Sequence, residues 1–251
     1  SYYQDFADRP AERLARSLAE IRLADPLSPA EWRRCLQEVV SHNAHGDQSV
    51  YVQITRGAAP RDHAFPKDVQ PTVFVASSPL KPLPAELAEH GVAAITLEDI
   101  RWQRCDIKAI TLLANILLRQ QAVDQGAVEA ILVRDGLANE GAASNLFIVR
   151  NGVLVTPPKG PYLLPGITRD LILELAAAQD MSHREASISV ADLENAEEVW
   201  LTSSTREIMP VTKLDGRRIG NGKPGLLWRR MMAVYQDYKQ LVRERGEAPA
   251  H

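Results

Sequence analysis

Ser77-Ser78-Pro79-Leu80-Lys81-Pro82-Leu83-Pro84 sets three prolines within six residues, which makes a stiff connector. A domain boundary belongs there. Residues 1–79 then form a small N-terminal α/β domain, residues 80–84 a linker, and residues 85–251 a larger domain. Before the connector the pattern predicts a helix from about Arg9 to Leu23, with Asp8 as N-cap and Leu14, Leu18 and Ile21 as one apolar stripe. Ser28-Pro29-Ala30-Glu31 is a capping box with Pro at the first helical position, opening a second helix. That helix should end near His42–Gly46, with Gly46 in the left-handed closing position. Ser49–Thr55 alternates as a half-buried strand, and Thr72–Ala76 suits a buried one. After the connector come strands at Val92–Leu97, Val128–Val133, Asn145–Val149 and Glu198–Thr202. Helices are expected at Ile107–Ala122, Ile167–Gln179 and Leu226–Arg245. Asp135-Gly136 and Asn151-Gly152 mark tight turns. The order lacks regular βαβ alternation, so the class is α+β, or irregular α/β.

The 251 residues fit one large or two modest domains at ~150 residues each. Apolar residues are 45% and charged residues 24%, which argues against a disordered or collagen-like chain. A net charge of −3 favours neither nucleic acid nor an anionic membrane as partner. The apolar runs Ala109–Leu118 and Leu171–Ala178 are too short to span a bilayer. Ser1–Pro10 has no apolar signal-peptide core. Cys35 and Cys105 form no metal-binding spacing and read as idle thiols in a reducing cytoplasm. Gly220-Asn221-Gly222-Lys223-Pro224-Gly225 imitates a dinucleotide fingerprint but lacks the flanking strands. His42 and His45 have no carboxylate or thiol beside them, so no metal site is expected; a helix C-terminus accounts for them.

The chain has seven lysines, and six sit among turn residues, prolines or surface charges. Lys108 stands instead in Cys105-Asp106-Ile107-Lys108-Ala109-Ile110-Thr111-Leu112-Leu113, at the start of the apolar helix. Desolvation there would neutralise the amine and make it nucleophilic; the plainer reading is a lysine snorkelling to solvent. Pro165-Gly166-Ile167-Thr168-Arg169-Asp170 offers backbone N–H groups and a hydroxyl at a helix start, which suits an anion. Thr202-Ser203-Ser204-Thr205 can close on the same anion or form an ordinary hydroxyl turn. Arg13 on the first helix reads as a bidentate phosphate partner or a solvated arginine. Glu140, among the small residues Gly141, Ala142 and Ala143, suits a protonated ring nitrogen; otherwise it is an exposed turn glutamate. Arg61 and His63 face one side if extended, and would grip a carboxylate if the stretch is more than a polar loop.

Five strings in register resemble the pyridoxal-phosphate enzymes of fold type IV, and within them the D-amino-acid aminotransferases. They are Gln53-Ile54-Thr55-Arg56-Gly57 with Pro60-Arg61-Asp62-His63; Glu98-Asp99-Ile100-Arg101-Trp102 with Arg104-Cys105-Asp106-Ile107-Lys108; Glu140-Gly141 with Ser144-Asn145; Gly166-Ile167-Thr168-Arg169-Asp170; and Thr202-Ser203-Ser204-Thr205. The resemblance implies two domains and ping-pong transamination between a D-amino acid and a 2-oxo acid. Lys108 looks like the lysine that forms the internal aldimine with pyridoxal 5'-phosphate, and Glu140 like the partner of the pyridine nitrogen. Arg13, Ile167, Thr168, Ser203 and Ser204 look like the phosphate cup, and Leu164 like the residue against the ring. Arg61 and His63 resemble the trap for the substrate α-carboxylate, supplied across a homodimer interface. That pair separates the group from branched-chain aminotransferases and aminodeoxychorismate lyases, which are the alternatives together with a catalytically impaired homologue. Two departures stand out. Ala142 and Ala143 replace serines of some relatives, and the resemblance implies further leading strands, with a tyrosine of the trap, that would fall ahead of Ser1.

Overall fold

The capping box forms as its residues dictate. In the computed structural model, which describes residues 3–43 and 46–245, helix α1 covers Tyr3–Glu20 and helix α2 covers Pro29–Ser41. Ser28 accepts the Glu31 N–H, and the Glu31 carboxylate accepts the Ser28 N–H at 2.8 Å. Two donors at the helix start are thereby satisfied reciprocally. Helix α1 starts well before Arg9, so Asp8 lies inside it rather than capping it. It stops at Glu20 because Arg22 turns left-handed, at φ +53, and Leu23 N–H returns to Leu18 O. Helix α2 closes on His42, whose ring nitrogen lies 2.8 Å from Glu38 O, so Gly46 falls beyond the cap. His45, Ser1 and Tyr2 lie outside the described residues.

The chain separates into two compact units, one ending at Pro82 and the other starting at Leu83. The first holds α1, α2 and a hairpin of strands β1 (Gln48–Thr55) and β2 (Thr72–Pro79). Strand β2 runs three residues into the proline-rich stretch, because Ser77, Ser78 and Pro79 still pair with Val50, Ser49 and Gln48. It is half exposed rather than buried, and Phe74 faces solvent.

The second unit opens with α3 (Ala85–His90), β3 (Val92–Glu98), α4 (Leu113–Asp124), β4 (Glu129–Arg134) and β5 (Leu137–Gly141). It continues through β6 (Asn145–Arg150), β7 (Val153–Thr156), α5 (Ile167–Ala178), β8 (His183–Glu185), β9 (Ile188–Ser189) and α6 (Val190–Glu194). It ends with β10 (Glu198–Ser203), β11 (Glu207–Leu214), β12 (Arg217–Arg218) and α7 (Leu226–Arg245). Asp135-Gly136 and Asn151-Gly152 all take positive φ, the twist that two-residue hairpin turns require. Strand β11 carries Pro210 in its middle. It tolerates the proline because its pairing with β3 begins only at Val211, so no ladder donor is demanded there.

The sheet closes on itself. Pairing runs β6–β10–β11–β3–β4–β5, and β5 returns to β6. The register pair at that seam is Glu140 with Asn145. All six strands feed one apolar cluster, including Val92, Ile131, Ala138, Leu146, Leu201 and Val211. Leu118 and Ala122 of α4 pack on the opposite face of β3 and β4, against Ile95, Ala130 and Leu132. The ring is therefore a rigid, solid support, and polar groups on its outer face are held by fixed backbone.

Candidate active site

Glu140 is set on the seam with both carboxylate oxygens engaged. Arg101 donates to Oε1 at 2.6 Å, and Asn145 Nδ2 and the Leu164 N–H each donate to Oε2 at 3.1 Å. The exposed-turn alternative is excluded, since Glu140 is 4% exposed and lies within β5. Burial pushes its pKa up from the ordinary 4.5 to about 7, against the opposing pull of Arg101. Arg101 is gripped from behind by Asp99, at 2.9 and 3.0 Å, and donates to Tyr162 O at 3.0 Å. Arg134 completes the cluster, donating to Arg101 O at 2.7 Å and lying 3.3 Å from the Asp99 carboxylate. Burial raises the pKa of Asp99, but its contacts with Arg101 outweigh that and hold the carboxyl below its usual range. Arg101 stays charged: burial opposes the charge, and two carboxylates overcome it. Sequence reasoning assigned Arg101 and Asn145 no role, although both lie in the quoted strings. An Asp-x-Arg pair leaving a strand was the available signal.

Beside Glu140 the register lines up Thr202, Asn145 and Glu140 on adjacent strands, so their side chains share one face. Asn145 also donates to Leu164 O at 2.8 Å, which ties the segment before α5 to the seam. Helix α5 starts after Gly166, and no side-chain cap hydrogen bond is made there among the described residues. A methyl group on Gly166 would sit 2.0 Å from Asn145 Oδ1, so glycine is required for this close approach. Thr168 is buried in the first turn, and Thr202 Oγ1 is buried with no partner among the described residues. Ser203 and Ser204 follow at the end of β10. The start of α5, the orphaned Thr202 hydroxyl and the Glu140 carboxylate thus lie on one outer face, joined through Asn145, while Ser203 Oγ accepts the Arg206 N–H at 3.3 Å. They fit a flat heteroaromatic ring with a phosphate arm, the carboxylate at the ring nitrogen and the donors at the phosphate.

Lys108 departs from expectation. Helix α4 begins at Leu113, not near Ile107, so Lys108 lies on the irregular segment between β3 and α4. It is exposed rather than desolvated within this single chain. The segment is anchored on both sides of it: Cys105 N–H donates to Pro161 O at 2.8 Å, and Asn115 Nδ2 donates to Ala142 O at 2.7 Å. Its two anchors are the segment before α5 and the turn that follows Glu140. Arg13 lies half-buried on α1 of the first unit. Arg61 and His63 are exposed on the loop between β1 and β2, also in the first unit.

Residues 6–214 match the family described as amino-transferase class IV. The D-alanine aminotransferase of Bacillus licheniformis is 40% identical over 230 residues, covering 92% of this chain and 81% of that protein. The D-alanine aminotransferase of Staphylococcus aureus (strain N315) is 39% identical, covering 90% of this chain and 80% of its own. Among solved structures, the branched-chain aminotransferase of Thermoproteus uzoniensis, solved with norvaline, superposes with a TM-score of 0.83 at 27% identity. That match covers 94% of this chain and 79% of the other. The Escherichia coli branched-chain enzyme gives 0.78 at 28% identity, covering 90% and 75%. The family match spans both compact units and every strand of the closed ring, and on these grounds the chain belongs to the amino-transferase class IV family.

Proposed function

We infer that this chain transfers the amino group of a D-amino acid to a 2-oxo acid, using pyridoxal 5'-phosphate. The observation that carries the reading is the seam: a buried carboxylate, fixed at both oxygens, beside an uncapped helix start. The relatives at 37–40% identity are D-alanine aminotransferases, whereas the branched-chain neighbours stand at 26–28%. When bound, the cofactor supplies an aldehyde that captures amines and a ring that draws electrons from the substrate Cα. Glu140 would hold a proton on the ring nitrogen. The N–H of Ile167, the hydroxyls of Thr168, Ser203 and Ser204, and Arg13 would hold the phosphate; Leu164 would pack on the ring. Lys108 would supply the amine that bonds the cofactor and would carry the proton to and from the substrate Cα. Arg61 and His63 would bind the α-carboxylate, which fixes the face of Cα presented to that amine. Two unpaired cysteines support a reducing, cytoplasmic setting.

The assay is direct. With pyridoxal 5'-phosphate and 2-oxoglutarate, D-alanine should be consumed with kcat/KM at least ~10-fold above L-leucine or L-valine. Preference for the L-series overturns the reading.

The working form is a homodimer. Helix α4 buries Leu118 and Ala122 inward, yet Leu113, Ile116 and Leu117 on its other side are 71%, 62% and 56% exposed. A helix apolar on both faces is built to be covered on both. Ile110 and Leu112 extend the patch toward Lys108, so a second copy seated there would remove water from the segment that carries the amine. Light scattering at micromolar concentration should give twice the chain mass, and Leu113→Glu with Ile116→Glu should give a monomer. A monomeric wild-type protein overturns the assignment.

A further inference from the structure

The hairpin of β1 and β2 does not end in a short turn. Its register pairs reach Thr55 with Thr72, and residues 56–71 then form a long exposed loop that carries Arg61 and His63. A connection longer than about 12–15 residues costs order and is usually functional, so something must hold its shape. Two features at its neck do so. Gly57 takes φ +112, and a methyl group there would meet Gln70 O at 2.2 Å and Val69 Cγ1 at 2.4 Å, so the two stalks cross in close contact. Arg56 then bridges outward. Its guanidinium donates to Arg22 O at 3.0 Å and to Ile21 O, the carbonyls just past the end of α1. The same group lies 3.7 Å from the centroid of the Phe65 ring, on the far arm of the loop.

Each contact suits an arginine. Carbonyls at a helix end lack intrahelical partners and carry partial negative charge, so a planar fork with several donors satisfies both. The flat face left over stacks on an aromatic ring, which a lysine ammonium cannot do in the same way. One side chain thus fastens both arms of the loop to helix α1, the helix that carries Arg13.

We propose that Arg56 is a positioning residue for substrate binding: clasped between the end of α1 and Phe65, it holds the 57–70 loop so that Arg61 and His63 meet the substrate α-carboxylate. This rests on the reading that Arg61 and His63 bind that carboxylate. Arg56 touches neither substrate nor cofactor in this role and acts through the loop.

Steady-state kinetics on the holoenzyme, with D-alanine and 2-oxoglutarate, separates the claims. Arg56→Ala should raise KM for both substrates about 10-fold, since both carry the carboxylate, and leave kcat within about threefold. Reaction with D-alaninol, which lacks the carboxylate, should change by less than about twofold. Arg56→Lys should recover part of the loss. Phe65→Leu, which removes only the stacking face, should raise KM about threefold and covers the case in which Arg56→Ala fails to fold. In an Arg61→Ala background, Arg56→Ala should add little further loss, because the loop then presents nothing to misplace. If Arg61→Ala itself leaves KM unchanged, the carboxylate reading fails. If Arg61→Ala raises KM while Arg56→Ala and Phe65→Leu leave it within about twofold, or if D-alaninol is affected equally, the positioning role fails.

Discussion

Replacing Arg101 by Met should lower the unfolding free energy by about 3–5 kcal/mol and the melting temperature by roughly 10 °C. The size follows from what is left behind. Arg101 is 8% exposed and lies between Asp99, 7% exposed, and Glu140, 4% exposed. Without the guanidinium, two carboxyls face each other across a water-poor space with only neutral donors and the outlying Arg134. The titration should change as well. Glu140 titrates near 7 with Arg101 opposing the effect of burial, so its removal should push that carboxyl higher still. Carbon-13 NMR of labelled glutamate side chains would read this directly. The pH dependence of stability has two opposing parts. Glu140, raised in the folded chain, contributes stability that is full below its ordinary 4.5 and is lost as pH rises through about 7. Asp99, held low, contributes stability present above its ordinary 3.8 and lost as pH falls through its folded value. Losing Arg101 removes the Asp99 part, so the variant should gain relative stability in acid. A variant as stable as the parent at neutral pH would show that the cluster is not a coupled unit.

Lys108→Ala should do the reverse: keep the fold and remove the chemistry. The residue is exposed on an irregular segment, so the melting temperature should shift by no more than the equivalent of about 1 kcal/mol. Turnover of D-alanine should fall by ~10⁴-fold or more, because in the proposed function one amine would serve as both the covalent anchor and the proton carrier. An unchanged far-UV spectrum with turnover within tenfold of the parent would remove Lys108 from the mechanism.

These two sites also show where sequence is legible. Local chemistry reads well. Ser28 and Glu31 fix the start of α2 within one turn of chain, and Asp135-Gly136 and Asn151-Gly152 fix two hairpins, because each signal acts over a few residues. The helix start at Gly166-Ile167-Thr168 reads well for the same reason. What does not read is what depends on distant partners. Glu140 is buried because Arg101, 39 residues earlier, and Leu164, 24 residues later, reach it across the seam. Strand β11 hides behind Pro210, which is tolerated only because of where β3 joins. The apolar run from Ala109 reads as one helix from its hydrophobicity. Its first residues remain irregular, and part of its apolar surface is exposed within the single chain, which periodicity alone does not announce. Within one chain Lys108 is exposed rather than desolvated.

The central claim is that the Lys108 amine is the one that bonds the cofactor. Reduction of the cofactor-loaded protein with borohydride, followed by proteolysis and mass spectrometry, tests it in a single measurement. The account predicts a phosphopyridoxyl group on the peptide containing Lys108 and on no other lysine; modification of any of the other six in its place would contradict it.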